Sequence, residues 1–183
     1  MKNIICLIIL SSFIIVNGYS QKEGQSFCGG DVTGSYFPLS VKKKKLVWGN
    51  TFYFETKKEE KVIDGKKYIK YEQAWENGQK VEMLLREELG TVFQYEPDGS
   101  DETLRYNSLH KAGDSWLTSD KEAKYTIVSY DGKLATPYCK YKKLMVLEGK
   151  FKENTFLFYY LKGYGYVGAT LEDELISFAT PEW

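Results

Sequence analysis

Short turn signals recur along this chain, and they constrain its fold more than any other feature of the sequence. Asn-Gly and Asp-Gly pairs favour the two-residue turns of β-hairpins, because those turns need positive φ at both central positions. The turn signals are Asp64-Gly65, Asn77-Gly78, Gly90, Asp98-Gly99, Asp131-Gly132 and Gly149. They predict a chain that folds back on itself repeatedly as antiparallel hairpins.

The runs between these turns have strand length and a β-prone composition. Tyr and Phe, with 15 and 10 copies, favour half-buried pleated surfaces over helices. The runs cover residues 51–55, 67–71, 81–86, 91–96, 125–130, 155–161 and 175–178. Apolar residues occupy both faces of 155–161, which indicates a strand covered on both sides. We therefore predict an all-β protein, an antiparallel meander of about 8–10 strands that forms a curved sheet, an open barrel or a two-layer sandwich.

The first 20 residues have the three parts of a secretory signal peptide. Lys2 gives the positive start, residues 4–16 form the apolar run, and small residues precede a cleavage point before Gln21. A spanning helix needs about 20 apolar residues, so a membrane anchor is the less favoured alternative. We predict a cleaved signal helix over 1–20, a flexible N-terminal segment over 21–35 and a single β domain over 36–183, in the periplasm or outside the cell, with no transmembrane span in the mature chain.

Export determines what the cysteines can do. Cys6 leaves with the signal peptide, and Cys28 and Cys139 remain. In an oxidising compartment this pair favours a disulfide. It would close a loop of about 110 residues and stabilise the fold by roughly 4–5 kcal/mol in the chain-entropy treatment. Two buried free thiols are the alternative.

The charge balance excludes some classes of partner and cofactor. Lys and Arg number 25, as do Asp and Glu, so the chain lacks the basic excess of a nucleic-acid binder. One His and three Cys offer few zinc ligands, and we expect no metal and no cofactor. Asp98, Asp101 and Glu102 do not follow the calcium-loop order and indicate a solvated hairpin tip. The lysines at 42–45 indicate a solvated strand that resists edge pairing, with contact to anionic lipid or polysaccharide as the alternative.

The strongest catalytic candidate is the Gly-Asp-Ser-Trp block at 113–116, which is similar to the nucleophile block of GDSL-type hydrolases. A serine hydrolase here would use Ser115, the single histidine His110 and an acid such as Asp114 or Asp131. In those hydrolases the histidine lies far downstream of the serine, whereas His110 precedes Ser115. The block therefore favours a turn, and we predict that the protein is not an enzyme.

Residues 163–168 match the G-x-G-x-x-G pattern of dinucleotide sites. That site needs a crossover helix next, and the segment 171–178 is too short for one. The glycines therefore favour a closely packed or bulged strand.

The aromatic residues provide the one positive indication of function. The candidates to line a groove for a hydrophobic or carbohydrate ligand are Trp48, Trp75, Trp116, Tyr164 and Tyr166. The alternative is that these rings fill a β core. We therefore predict an exported non-catalytic binding module, envelope-associated or extracellular, whose partner is such a ligand or another envelope protein. The serine hydrolase is one alternative, and a structural or partner-binding protein that uses its sheet edges is another.

Three short segments of the chain form a recognisable set. They are Tyr36-Phe37-Pro38-Leu39 followed by Trp48 and Tyr53, the block at 113–116, and the run Tyr159-Tyr160-Leu161-Lys162-Gly163-Tyr164-Gly165-Tyr166-Val167. In these segments the chain resembles TapB-like secreted proteins, a group common in Bacteroidota, although the lysines at 42–45 replace the Gly-containing opening loop of that group. The resemblance implies a curved antiparallel sheet of the lipoprotein-localisation-factor type and no known catalytic residues.

Overall fold

The computed structural model describes residues 27–97 and 101–181, and this part of the chain is all-β. Its strands are β1 (Lys43–Trp48), β2 (Thr51–Ile63), β3 (Lys66–Trp75), β4 (Lys80–Glu88), β5 (Thr91–Glu96), β6 (Asp101–Asn107), β7 (Ser115–Leu117), β8 (Lys124–Ala135), β9 (Lys140–Lys150), β10 (Thr155–Leu161), β11 (Gly165–Leu171) and β12 (Glu174–Thr180). The predicted signal peptide and the predicted turn at 98–99 lie outside the described residues. Within the described ranges no helix is long and apolar enough to cross a membrane.

All twelve strands belong to one antiparallel sheet, in the order β6-β5-β4-β3-β2-β1-β12-β11-β10-β9-β8-β7. Pairing of β1 with β12 joins two meanders side by side, and β6 and β7 are left as the two ends of the order. These ends meet at a seam, where Trp116 Nε1 donates to the Leu104 carbonyl at 2.7 Å and the Thr103 and Ser119 hydroxyls lie 3.0 Å apart. The sheet is therefore a nearly closed barrel. This confirms the predicted fold class, although the predicted strand count was too low.

Buried residues lie on both faces of the central strands and form two clusters. Along β9, Met145 and Leu147 belong to one cluster, while Leu144 and Val146 belong to the other. The second cluster includes Leu134, Cys139 and Tyr141 from the tip of the β8–β9 hairpin. Tyr159 and Tyr160 of β10 divide between the clusters in the same way, so the prediction of a strand covered on both sides is confirmed.

The segment before β1 is fastened across one end of the barrel. A disulfide joins Cys28 to Cys139, with the two Cα atoms 5.4 Å apart, which confirms the predicted bond. The Asp31 amide donates to the Lys162 carbonyl at 2.9 Å, and the Gly163 amide donates to the Ser35 carbonyl at 2.7 Å. These bonds hold the segment against the β10–β11 turn, so that the residues after Ser35 can enter the barrel.

Several predicted turns are confirmed, and two are wrong. Asp64 and Gly65 have φ of 48° and 76° and connect β2 to β3, as the Asp-Gly signal predicts. Gly132 and Gly149 instead lie inside β8 and β9. A Cβ at position 132 would lie 2.2 Å from a Val146 methyl, and one at 149 would lie 2.6 Å from the Phe158 ring. These two glycines permit close packing between strands and do not make turns.

Candidate functional site

A cavity of about 170 Å³ lies inside the barrel, at the end covered by the N-terminal segment. Phe37, Pro38 and Leu39 form one side of it, and Phe37 stacks on Tyr160 with the ring centroids 5.4 Å apart. The strands contribute a largely aromatic and aliphatic wall: Trp48, Tyr53, Tyr71, Met83, Leu85, Phe158, Tyr160 and Tyr166. The polar residues of the lining are Lys44, Glu55, Gln73, Gln94 and Arg105. Apolar walls with a few polar groups are typical of small-molecule sites.

Lys44 is the most buried charged residue of this cavity, with 5% of its surface exposed. The interpretation of the lysine run as an edge guard is wrong, because β1 lies in the middle of the sheet between β2 and β12. Strand alternation directs Lys43 and Lys45 outward, where their amino groups lie 4.8 and 4.7 Å from the ring centroids of Phe54 and Phe52. The same alternation directs Lys44 inward.

The Lys44 ammonium lies in a small space that the backbone leaves open for it. It sits 4.9 Å from the centroid of the Tyr164 ring, and a Cβ at Gly165 would lie 3.1 Å from Nζ. Across the described ranges it makes no hydrogen bond and no ion pair with a carboxylate. Burial lowers the pKa of Lys44, and the charge of Glu55 raises it in part. The cavity therefore contains a poorly solvated cation.

Glu55 and Gln73 continue a polar row across the inner face of the sheet. Lys44 lies opposite Glu55 in the β1–β2 pair, and Glu55 lies opposite Gln73 in the β2–β3 pair. Gln73 Nε2 donates to Glu55 Oε2 at 3.0 Å. The carboxylate is thereby held by an amide of the next strand and not by the lysine.

Arg105 enters the cavity because β6 carries a bulge. Val92 pairs with Tyr106 and Phe93 pairs with Leu104, so Arg105 is an extra residue on β6. A bulge of this kind redirects a side chain. The guanidinium carbon lies 5.6 Å from the centroid of the Tyr125 ring.

The ionisation of the cavity follows from burial and from these neighbours. Burial lowers the pKa of Arg105, but the nearby Tyr125 and Tyr160 hydroxyls and Glu96 outweigh it, so the pKa is raised and the group stays charged. Burial raises the pKa of Tyr160 to about 12 and that of Tyr53 well above its ordinary value. The tyrosine hydroxyls therefore remain neutral donors at pH 7, and the charges of the lining belong to Lys44, Arg105 and Glu55.

The structure brings together only part of the predicted aromatic set. Trp48 and Tyr166 line the cavity, and Trp75 lies behind the wall with its ring 4.6 Å from that of Tyr53. Tyr164 is 1% exposed and contacts the Lys44 ammonium. Trp116 belongs to the barrel seam, away from the cavity lining. The predicted role of these residues in ligand binding stays a prediction.

Sequence reasoning missed the polar residues of the cavity. A signal for Glu55 was present, because alternation along 51–56 places it on the face of Tyr53. Lys44 would have emerged from the same alternation if 43–48 had been predicted as a strand. No sequence signal locates Arg105, because the bulge depends on how β5 and β6 pair.

The predicted hydrolase residues do not form a catalytic arrangement within the described residues. Ser115 is exposed and has no hydrogen bond to His110. The His110 ring packs 4.9 Å from the Trp116 ring, and Asp114 accepts a bond from the Lys111 amide at 2.8 Å. Asp131 lies within β8. The block at 113–116 is thus a turn that leads into β7, as the turn interpretation predicts.

The prediction that Asp98, Asp101 and Glu102 form a solvated hairpin tip is wrong for Glu102. Its carboxylate accepts bonds from Arg86 Nη2 at 2.7 Å, Lys66 Nζ at 2.8 Å and the Tyr68 hydroxyl at 2.7 Å. The Arg86 guanidinium is the main reason why the pKa of Glu102 falls to about 2. Among the described residues no group of three or more His, Cys, Asp or Glu side chains could hold a metal ion.

The glycines at 163–168 shape a turn and a bulged strand, which confirms the prediction. Gly163, in the turn after β10, has φ of 75°, and Gly165, the first residue of β11, has φ of 86°. Tyr160 pairs with Tyr166 while Tyr159 pairs with Gly168, so Val167 is an extra residue on β11.

Comparison with known proteins gives one structural likeness. No family model matches the chain, and no curated protein matches it. The resemblance to TapB-like secreted proteins therefore stays a prediction. The chain is similar to a crystal structure from Bacteroides fragilis described as that of an exported protein with a YmcC-like fold, with a TM-score of 0.43, 11% identity, and coverage of 80% of this chain and 97% of that chain.

Proposed function

We propose that this protein is an exported, non-catalytic binding module that holds a small hydrophobic ligand in the barrel cavity. The observation that carries the proposal is the cavity itself, with aromatic walls around a few inward polar groups. A cavity of about 150 Å³ is known to admit benzene. The cavity here, at about 170 Å³, therefore suits an aromatic ring or a short acyl chain.

Export is supported by the sequence and by the cysteines. Residues 1–20 have the composition of a signal peptide. The Cys28–Cys139 disulfide is typical of a protein that works in an oxidising compartment. Both features are expected of a protein that leaves the cytoplasm.

A carbohydrate is the second candidate ligand. Trp48 offers a ring face, and Glu55 and Gln73 offer the paired polar atoms that sugars require. The apolar wall favours the hydrophobic ligand over the sugar. Binding through sheet edges is less favoured than either, because side-chain hydrogen bonds join β6 to Trp116 of β7 and to Ser119 across the seam.

Methionine methyl NMR tests the proposal on the mature protein. Met83 and Met145 are the two methionines of residues 21–183, and only Met83 lines the cavity. Addition of toluene or indole should shift the Met83 methyl signal saturably. Glucose should produce no shift, and a response to glucose alone would instead support the sugar.

A cavity-filling variant gives the matched control. Leu85→Trp should abolish the response of Met83, because Leu85 lines the cavity. Val128→Trp, at a position that is 49% exposed on β8, should leave the response intact. The Met145 signal reports whether each variant keeps its core. A Met83 signal that none of the three compounds moves would contradict the proposal, and native mass spectrometry of the protein from its own host would identify the natural ligand.

A further inference from the structure

We infer that the ligand of this cavity is a small organic acid, an apolar body that carries one anionic group bound between Lys44 and Arg105. The inference rests on the proposed binding function and specifies the class of its ligand. It follows from three features of the cavity, namely a buried cation without a carboxylate partner, a second cation delivered by a bulge, and an acid already held by an amide.

The first feature is Lys44. An ammonium in a low-dielectric site is costly unless a negative charge or several acceptors compensate it. With 95% of its surface buried, Lys44 has its ammonium 4.9 Å from the centroid of the Tyr164 ring, and its side chain lines the cavity. An anion that enters the cavity would provide the missing partner.

The second feature is Arg105. Its side chain reaches the same cavity from β6, on the far side of the sheet order from β1. Its position depends on the bulge opposite Val92 and Phe93. No carboxylate within the described residues lies in ion-pair range of its guanidinium. Arginine is well suited to bind carboxylates, because its planar donors match the two oxygens.

The third feature is the state of Glu55. It is the acid of the lining, and it lies opposite Lys44 without forming an ion pair. Its Oε2 accepts from Gln73 Nε2, which supports the carboxylate at a distance from the ammonium. The lining thus carries two cations and one acid, and its positive excess favours an anionic ligand over a neutral or cationic one.

Three probes of similar size and different charge test the inference, namely benzoate, benzyl alcohol and benzylamine. We expect the Met83 methyl titration to give benzoate an affinity at least about tenfold above that of benzyl alcohol, because charge-assisted bonds are stronger than neutral ones. Benzylamine should bind more weakly than benzyl alcohol. Equal affinities for benzoate and benzyl alcohol, or a preference for benzylamine, would overturn the inference and leave the proposed binding function standing. Failure of these three probes and also of toluene and indole to bind would overturn both.

Substitutions assign the effect to named residues. Lys44→Met should reduce benzoate affinity towards that of benzyl alcohol, because only Arg105 then remains to bind the carboxylate. Lys43→Met is the matched control, since Lys43 precedes it on the same strand but lies over Phe54 on the outer face, and its benzoate affinity should equal that of the unchanged protein. Glu55→Gln should raise benzoate affinity several-fold, which tests the same charge balance without removing a cation. Unchanged benzoate binding in both Lys44→Met and Glu55→Gln would show that the cavity charges do not select the ligand.

Discussion

Lys44 and Glu55 stand directly opposite each other on β1 and β2, both facing the cavity, and yet they form no ion pair. Glu55 is bonded to Gln73, and the Lys44 ammonium contacts the Tyr164 ring. Opposite charges on neighbouring strands usually stabilise a sheet when they meet. Here they are kept apart in the interior, where an unpaired charge is costly. The arrangement agrees with the proposed binding of an anion in the cavity.

Lys44→Met should therefore stabilise the protein in the absence of ligand. Methionine fills a similar volume without a charge to desolvate, and replacement of buried charges by apolar side chains is often stabilising. We expect a gain of about 1 kcal/mol in the free energy of unfolding at pH 7, measured by urea denaturation. Lys43→Met should change it by less than about 0.5 kcal/mol, as expected of a surface substitution. A clear loss of stability in Lys44→Met would show that Glu55 and Tyr164 compensate the ammonium fully.

The advantage of Lys44→Met should also depend on pH. Burial lowers the pKa of Lys44 in the folded protein below the ordinary 10.5, so between these two values the unfolded chain binds more protons than the folded one. The unchanged protein should therefore gain stability as the pH rises through this window, and the difference between the two proteins should shrink towards pH 10.5. A difference that stays constant from pH 7 to pH 10 would contradict this assignment.

Glu102→Gln should remove the main ionic contribution of the outer face. Arg86 lowers the pKa of Glu102 from 4.5 to about 2, and the carboxylate side chain is 16% exposed. Since the folded pKa is depressed, the stabilisation is present above pH 4.5 and is lost as the pH falls through about 2. We expect Glu102→Gln to cost on the order of 2 kcal/mol at pH 7 and much less near pH 2.

Glu88→Gln provides the comparison for this cluster. Glu88 accepts from the same Arg86 guanidinium at 2.7 Å, but its side chain is 63% exposed. Exposed ion pairs contribute little, so Glu88→Gln should change the unfolding free energy by less than about 0.5 kcal/mol. If Glu88→Gln and Glu102→Gln had equal effects, the burial of the Glu102 carboxylate would not be the source of the stabilisation.

The sequence predicted the hairpins better than it predicted their packing. Asp64-Gly65 carries its turn information locally, because both positions must adopt positive φ. Gly132 and Gly149 look alike in the sequence, but their role depends on Val146 and Phe158, which reach them only in the folded sheet. A turn with φ of 49° and 65° at Glu172 and Asp173 had no glycine to indicate it.

The same distinction applies to the site. Trp48 and Tyr166 were found because large aromatic residues are candidates wherever they lie, and both border the cavity. Lys44 is one of four consecutive lysines, and the sequence does not show which of them point inward. That depends on the pairing of β1 with β2 and β12. The position of Arg105 depends on the register between β5 and β6. Neither a motif nor the composition of the sequence indicates that register.

Removal of the disulfide should loosen the N-terminal segment and destabilise the fold. The bond joins residues 111 positions apart, and the chain-entropy treatment assigns such a loop roughly 4–5 kcal/mol. We expect Cys28→Ser/Cys139→Ser to lose a similar amount in urea denaturation, and the reduced form of the unchanged protein to behave alike. Amide exchange at Asp31 and Gly163, which bond the segment to the β10–β11 turn, should accelerate. A loss below about 1 kcal/mol with unchanged exchange would show that the other contacts suffice to hold the segment.

Gly168→Ala should be among the most damaging single-methyl additions in the barrel. A Cβ at this position would lie 2.6 Å from the Ser177 carbonyl oxygen on β12 and 2.8 Å from a Leu134 methyl. Leu134 can rotate, but the Ser177 carbonyl belongs to the neighbouring strand and cannot withdraw without disturbing the β11–β12 pairing. Overpacking of this kind typically costs 1–3 kcal/mol, and we expect about 3 kcal/mol in the free energy of unfolding.

The contribution of the carbonyl can be separated from that of the methyl. Leu134→Ala relieves only the side-chain contact, so in a double-mutant cycle it should recover little of the cost of Gly168→Ala. Full recovery would locate the conflict at Leu134 and would show that β11 and β12 can separate by the required distance. Little recovery would establish that glycine is needed at 168 because the backbones of β11 and β12 approach each other closely there. β11 also lines the cavity, and β12 connects it to β1 in the sheet.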